Sequence, residues 1–247
     1  MSIDPHVVSA VVFDMDGVVT DTADAHFRAW KRLFDDVLRA RGEQHTDAFT
    51  REDYLASVDG RSREDGVAGF LATRGIHLPR GAENDGPDEQ TVVGLGRRKN
   101  RYFLDVIRDE GVHAYRSTVA LVHDLQAAGL GTALVTASRN AVSVLEAAGI
   151  SGLFPVLVDG GVAADLGLAG KPDPAVFVEA ARRLGATPST TVVVEDATSG
   201  VDAGRRGGFA LVVGVDRTGD GSRLREAGAD VVVADLADVR LADRTAP

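Results

Sequence analysis

Asp14 and Asp16 stand two residues apart in Asp14-Met15-Asp16-Gly17-Val18-Val19-Thr20-Asp21, directly after the apolar run 7–13. Two carboxylates so spaced at the end of a buried strand can point into one crevice, where their repulsion is costly unless a cation joins them. An oxygen-rich cluster of this kind suits magnesium, which takes one or two carboxylates, keeps several waters and leaves room for a substrate phosphate. The plainer alternative is that both aspartates cap the next turn. Three further places carry matching chemistry. The run 131–135 leads into Thr136-Ala137-Ser138-Arg139-Asn140 ahead of a helix, so hydroxyls and free backbone N–H groups can face an anion. Lys171, in Gly170-Lys171-Pro172-Asp173-Pro174, can set a point charge on a phosphoryl oxygen. Glu195-Asp196 closes the run 191–194 and can complete a metal site. Taken singly, Thr136 or Ser138 could be helix N-caps, Lys171 a solvated lysine and Asp196 a helix start. Capping alone does not account for all four at successive strand ends.

The elements that must position these groups are legible as alternation. The runs 7–13, 131–135, 191–194, 210–213 and 230–233 are apolar throughout, as strands buried on both faces are. Helical patterns at 140–148, 174–184 and 199–206 lie between them, ending at Gly149, Gly185 and Gly207, where C-capping glycines are expected. This order predicts a doubly wound, Rossmann-like α/β core with a parallel sheet, whose ligands bind at the carboxyl ends of the strands. Residues 22–108 break the rhythm: they are charged and helical in pattern, with 79–90 the most loop-like stretch. They are expected to form an inserted helical cap, leaving 1–21 and 109–247 as the catalytic core.

Composition narrows the function classes. The chain has 247 residues, 44% hydrophobic and 26% charged, and a formal net charge of −10. That charge disfavours nucleic acid and anionic membranes as partners, while a small anionic substrate remains open if local cations receive it. With no cysteine, disulfides, thiolate catalysis and zinc–thiolate sites are excluded. The opening MSIDPHVVSAVVFDMD has no basic segment ahead of a long apolar run, so a cytoplasmic protein is the expectation, with a monomer as the default.

With these residues in view, the sequence resembles the haloacid dehalogenase superfamily of phosphohydrolases and phosphomutases. Its four motifs are met in order by Asp14-x-Asp16, Thr136, Lys171 and Glu195-Asp196, and the resemblance spans essentially the whole chain. It implies that Asp14 is a nucleophile forming an aspartyl phosphate and that Asp16 is the general acid and base. It also implies magnesium held by the Asp14 carboxylate, the Asp16 backbone carbonyl and the Asp196 carboxylate, with Glu195 nearby. Thr136, Ala137 and Lys171 would hold the transferring phosphate.

Within the superfamily, DMDGVVTDTADAHFRAWK, Gly60-Arg61-Ser62-Arg63 and Arg98-Lys99-Asn100 resemble the β-phosphoglucomutase branch. That likeness implies that Arg63, with Ser138, Arg139 and Asn140, binds a second, non-transferring phosphate of a sugar phosphate. It places His26, Trp30, Gly60, Lys99 and Asn100 near the substrate and Thr22 at the hinge. His26, considered alone, could equally be a half-buried helix residue. Departures from the branch are Thr136 where serine is frequent and a longer, more acidic stretch at 75–94. The second keeps a low-specificity sugar-phosphate phosphatase as the main rival. A phosphorylation-receiver module would be shorter and lack the insertion. A nucleotide-binding loop is excluded because Gly94-Leu95-Gly96 lacks its third glycine and Lys171 is followed by Pro172.

Overall fold

A computed structural model of the chain describes residues 1–42, 48–217, 219 and 221–242. It divides into two compact units, Met1–Asp21 with His113–Pro247, and Thr22–Val112. The break falls at Val112 rather than at 108 because one helix runs unbroken through Arg108 to Glu110.

The first unit begins with β1 (Ser2–Ile3) and β2 (Ala10–Asp14), and the second unit carries α1 (Ala23–Ala40), α2 (Arg51–Ser57), α3 (Arg63–Thr73) and α4 (Val92–Glu110). The chain then returns through α5 (Arg116–Ala127), β3 (Gly131–Val135), α6 (Ala141–Ala147), β4 (Val156–Val158), α7 (Gly160–Asp165) and α8 (Ala175–Arg183). It ends with β5 (Thr191–Glu195), α9 (Thr198–Arg206), β6 (Leu211–Val215), α10 (Ser222–Ala227), β7 (Val231–Val233) and β8 (Arg240–Leu241).

Six strands form one parallel sheet in the order β4-β3-β2-β5-β6-β7, and β1 pairs with β8 beside it. The chain winds outward from β2 through β3 to β4, then crosses back to β5 on the other side. This places the carboxyl end of β2 at the switch point where open α/β sheets bind ligands. All five residues of β2 and of β5 are buried, as strands covered on both faces must be. Val12, Ala133, Val193 and Val212 from four neighbouring strands pack with Phe177 and Ala181 of α8 and Val201 of α9.

One expectation needs correction. Strand β2 starts at Ala10, because residues 4–8 fold into a turn in which Val7 and Val8 donate to the Asp4 carbonyl, leaving Val7 exposed. Gly207 does stand at the C-cap of α9 as expected, with a right-handed φ of −72°, and Gly208 after it takes the positive φ.

The second unit is a helical lobe with its own aromatic core. Trp30, Leu33, Phe34 and Val37 recur on one face of α1, as a 3.6-residue period requires. Phe34 lies 4.2 Å from Phe70 of α3 and 4.9 Å from Phe49, with ring planes tilted or edge-on as aromatic quadrupoles prefer. Thr50 starts α2 with a capping box, its side chain accepting from Asp53 N–H while Asp53 accepts from Thr50 N–H. No helix among the described residues is long and apolar enough to cross a membrane.

Candidate active site

Asp14 closes β2, and beyond it the chain makes a tight turn in which Gly17 N–H donates to Thr20 and the Val19 and Thr20 N–H groups donate to Met15. Gly17 has a φ of 82°, and a Cβ there would overlap the Asp196 carboxylate. Only glycine allows the nucleophile loop to approach Asp196 this closely. One carboxylate oxygen from each of Asp14, Glu195 and Asp196 lies within 4.8 Å of the others.

Lys171 is buried between two of these acids. Its ammonium donates to Asp14 Oδ1 and, at 2.5 Å, to Glu195 Oε1. The other oxygen of Glu195 accepts from Ala197 N–H at 2.9 Å, so both Glu195 oxygens are engaged inside the protein. Burial would draw the Lys171 ammonium down, but Asp14 and Glu195 outweigh it and hold its pKa above the ordinary lysine value. Burial pushes the Asp14 carboxyl well up; Lys171 opposes that, while Glu195 and Asp16 reinforce it. The Lys171 ammonium pairs with two of the three gathered carboxylates, Asp14 and Glu195. Hard oxygen donors converging in this way fit a divalent cation, with Asp14 and Asp196 best placed to hold it because both Glu195 oxygens are already engaged.

Asp16 turns its carboxylate toward Thr136, whose Oγ1 donates to it at 3.4 Å. Thr136 Oγ1 also accepts from Ser138 N–H at 3.1 Å, and Ser138 Oγ accepts from Asn140 N–H at 3.1 Å. The expectation of free N–H groups here is corrected at these two positions: local hydroxyl turns occupy them. Ala137 is half-buried and Arg139 exposed in the same loop. The Lys171-Pro172 peptide is cis.

Residues 20–21 and 113–114, where the chain leaves and re-enters the first unit, run side by side. Asp21 N–H donates to the His113 carbonyl, His113 N–H donates to Asp21 Oδ1, and Thr20 bridges Ala114. Thr22, the expected hinge residue, follows immediately and is buried.

In the second unit His26, Lys99 and Trp30 come together. Lys99 Nζ meets His26 Nδ1 at 2.6 Å and lies 5.1 Å from the Trp30 ring and 4.9 Å from the Phe103 ring. Trp30 is 4% exposed and stacks on Phe34, so it is a member of the lobe's core that supports Lys99 rather than an open contact surface. Arg63 opens α3 behind the N-cap Ser62, with its stem packed at Gly96. Asn100 lies one residue beyond Lys99 on α4, and Gly60 makes a left-handed turn ahead of α3. Of the neighbouring arginines, Arg98 donates to the Pro87 carbonyl and Arg97 to that of Glu83, tying the 79–90 loop to α4.

Sequence reasoning missed Gly200, where a Cβ would overlap the Glu195 carboxylate. It also missed Tyr115 and Thr118, which hold the carbonyls of Val19 and Val18. Their roles depend on close approach across the fold, for which local spacing carries no signal.

A doubly wound sheet that gathers carboxylates and a buried lysine at its switch point defines a class of phosphoryl-transfer enzymes. The family model for haloacid dehalogenase-like hydrolases matches residues 8–208, and the chain belongs to that family. It is 44% identical over 242 residues to a β-phosphoglucomutase of Mycobacterium bovis, covering 95% of this chain and 92% of that one. It is 29% identical to a phosphorylated carbohydrates phosphatase of Thermotoga maritima, covering 92% and 94%. Among solved structures, a β-phosphoglucomutase from Clostridium difficile superimposes with a TM-score of 0.74 at 26% identity, covering 94% of this chain and 92% of that one. The chain is therefore an enzyme of the phosphomutase and phosphatase group within this family.

Proposed function

We propose that the protein is a phosphomutase interconverting β-D-glucose 1-phosphate and glucose 6-phosphate through an Asp14 aspartyl phosphate and a glucose 1,6-bisphosphate intermediate. The observation that carries the choice of mutase is the 44% identity to a β-phosphoglucomutase across 95% of the chain, inserted lobe included. Asp14 is the nucleophile because it stands at the strand end with its carboxylate against Lys171. In one half-reaction an Asp14 oxygen attacks phosphorus, the bond from phosphorus to the sugar oxygen breaks, and Asp16 gives that oxygen its proton. In the other half, Asp16 takes the proton of the sugar hydroxyl, whose oxygen attacks phosphorus as the bond to Asp14 breaks. Thr136 orients Asp16 between these roles, and Lys171, Thr136 and Ala137 receive the transferring phosphate.

Magnesium held by Asp14, the Asp16 carbonyl and Asp196 would neutralise charge on the transferring group, with Glu195 fixing Lys171 beside it. Arg63, with Ser138, Arg139 and Asn140, receives the resting phosphate, and His26, Lys99 and Asn100 face the sugar. Thr22 serves as the hinge between the core and a cap that excludes water from the aspartyl phosphate. The working location is the cytoplasm, where sugar phosphates are found.

A sugar-phosphate phosphatase is the second reading, favoured by the likeness to the Thermotoga phosphatase. The two separate when isomerisation and phosphate release are followed in parallel on anomerically pure β-glucose 1-phosphate with magnesium and a bisphosphate primer. Glucose 6-phosphate should form faster than inorganic phosphate. Phosphate release dominating at every primer concentration overturns the mutase assignment.

A further inference from the structure

Arg217, just beyond β6, reaches 200 residues back along the chain to the nucleophile loop. Its Nε–H donates to the Gly17 carbonyl at 2.6 Å, and its guanidinium carbon lies 3.8 Å from the centre of the Tyr115 ring. Nη1 approaches the Ala234 carbonyl at 3.4 Å and Asp235 Oδ2 at 3.7 Å. The side chain is 21% exposed, so it is largely withdrawn from solvent. Gly17 is the residue whose left-handed backbone rests against the Asp196 carboxylate. The far side of the same turn is held by the start of α5, through Tyr115 N–H on the Val19 carbonyl and Thr118 on the Val18 carbonyl. Tyr115 therefore serves twice, as a backbone donor to the turn and as the platform on which Arg217 lies.

We propose that Arg217 is a positioning residue: by holding the Gly17 carbonyl it fixes the wall against which Asp196 rests, and so sets the affinity of the Asp14, Glu195 and Asp196 cluster for a divalent cation. This rests on reading that cluster as the metal site. The sign of the effect separates positioning from charge. A guanidinium near a cation site repels the cation, so if charge alone mattered, deleting it would tighten binding. If Arg217 acts by holding Gly17, deleting it weakens binding. A planar fork that stacks on a ring and donates along its edge is also something lysine cannot reproduce, although it carries the same charge.

The experiment is a titration of the full-length protein with Mn2+, counting the free ion by its electron paramagnetic resonance, followed by displacement with Mg2+. Arg217→Ala should raise the dissociation constant about tenfold, and Arg217→Lys should fall between it and the wild type. Amide exchange at Gly17 should quicken in Arg217→Ala. Affinity unchanged or tightened in Arg217→Ala, with the wild type binding normally, overturns the proposal and leaves the metal site standing. No binding by the wild type overturns both. Should Arg217→Ala fail to fold, Arg217→Lys decides: weaker binding supports the positioning role, and equal or tighter binding overturns it.

Discussion

Replacing Lys171 by methionine removes the ammonium that Asp14 and Glu195 share while refilling most of its volume. The side chains involved are all but sealed: Lys171 is 2% exposed, Asp14 10% and Glu195 0%. At 2.5 Å and an effective dielectric constant of about 20, the attraction to Glu195 alone is about 7 kcal/mol, with Asp14 adding to it. Against this stands the several kcal/mol spent stripping water from the ammonium, which methionine does not spend. Breaking a buried pair by removing one partner typically costs about 3–5 kcal/mol, and that is the expected loss for Lys171→Met without added metal. With a urea slope of about 3 kcal/mol per M, the midpoint should fall by about 1–2 M. The assay is urea unfolding in chelator at pH 7, followed by circular dichroism. Fluorescence is the wrong probe, because the single tryptophan, Trp30, sits in the second unit. Phosphoryl transfer should drop by about a hundredfold or more, as when a preorganised charge is withdrawn from a developing anion. A folded Lys171→Met protein with an unchanged or raised midpoint would refute the reasoning, since Asp14 and Glu195 would then tolerate burial without their cation.

Gly200→Ala tests the clearance above Glu195: an added methyl overlaps that carboxylate, so Glu195 must leave Lys171 or Ala197 N–H. The variant should lose about 2–3 kcal/mol in the same unfolding assay, and a loss under about 0.5 kcal/mol would show that the helix simply shifts. Glu179 offers a test of sign away from the site. Hydrogen bonds from Arg182 and Arg183 hold its carboxyl at about 2. A depressed folded-state pKa contributes stability above the ordinary glutamate value and loses it as pH falls toward about 2. The exposed arginines keep the effect small. The melting temperature of Glu179→Gln should therefore lie slightly below wild type at pH 7, with the gap narrowing below about pH 4.5 and closing only toward about pH 2; a gap independent of pH would show that the ion pairs contribute nothing.

What could be read in advance follows the range of the physics involved. Strand β3 was legible to the residue because an apolar run bounded by glycine and threonine has one interpretation in a parallel sheet. Strand β4 was not, since three residues after Pro155, two of them half-covered and only Val158 buried, carry too little pattern. Helix α5 also escaped, although Leu121, Val122 and Leu125 form a buried face, because the alternation of runs drew attention to the strands around it. Within the second unit the helical character of 22–108 showed in the sequence, while α2 by itself is only seven residues long and depends on its cap. The chemistry-bearing groups were visible because their types and strand-end positions matter by themselves. Arg217, Tyr115 and Gly200 were invisible for the opposite reason. An arginine aimed at a backbone carbonyl and a glycine needed only for clearance acquire meaning when distant segments meet.

The sheet explains why groups so far apart in sequence can share one cation. In the strand order β3-β2-β5, Asp14 lies level with Val135, and Phe13 lies level with Val194. The residues that end or immediately follow these three strands, Asp14, Thr136 and Glu195, therefore emerge side by side along one edge. Neighbouring strands are about 4.8 Å apart, the scale on which the oxygens of Asp14, Glu195 and Asp196 converge. Antiparallel pairing would send alternate strand ends to opposite edges, and a one-residue slip would turn Asp14 to the other face. The buried valines of β2 and β5 fix the register, and the register brings the carboxylates together. The apolar residues thus act on the chemistry at one remove: packing holds in place a cluster whose own charges would drive it apart.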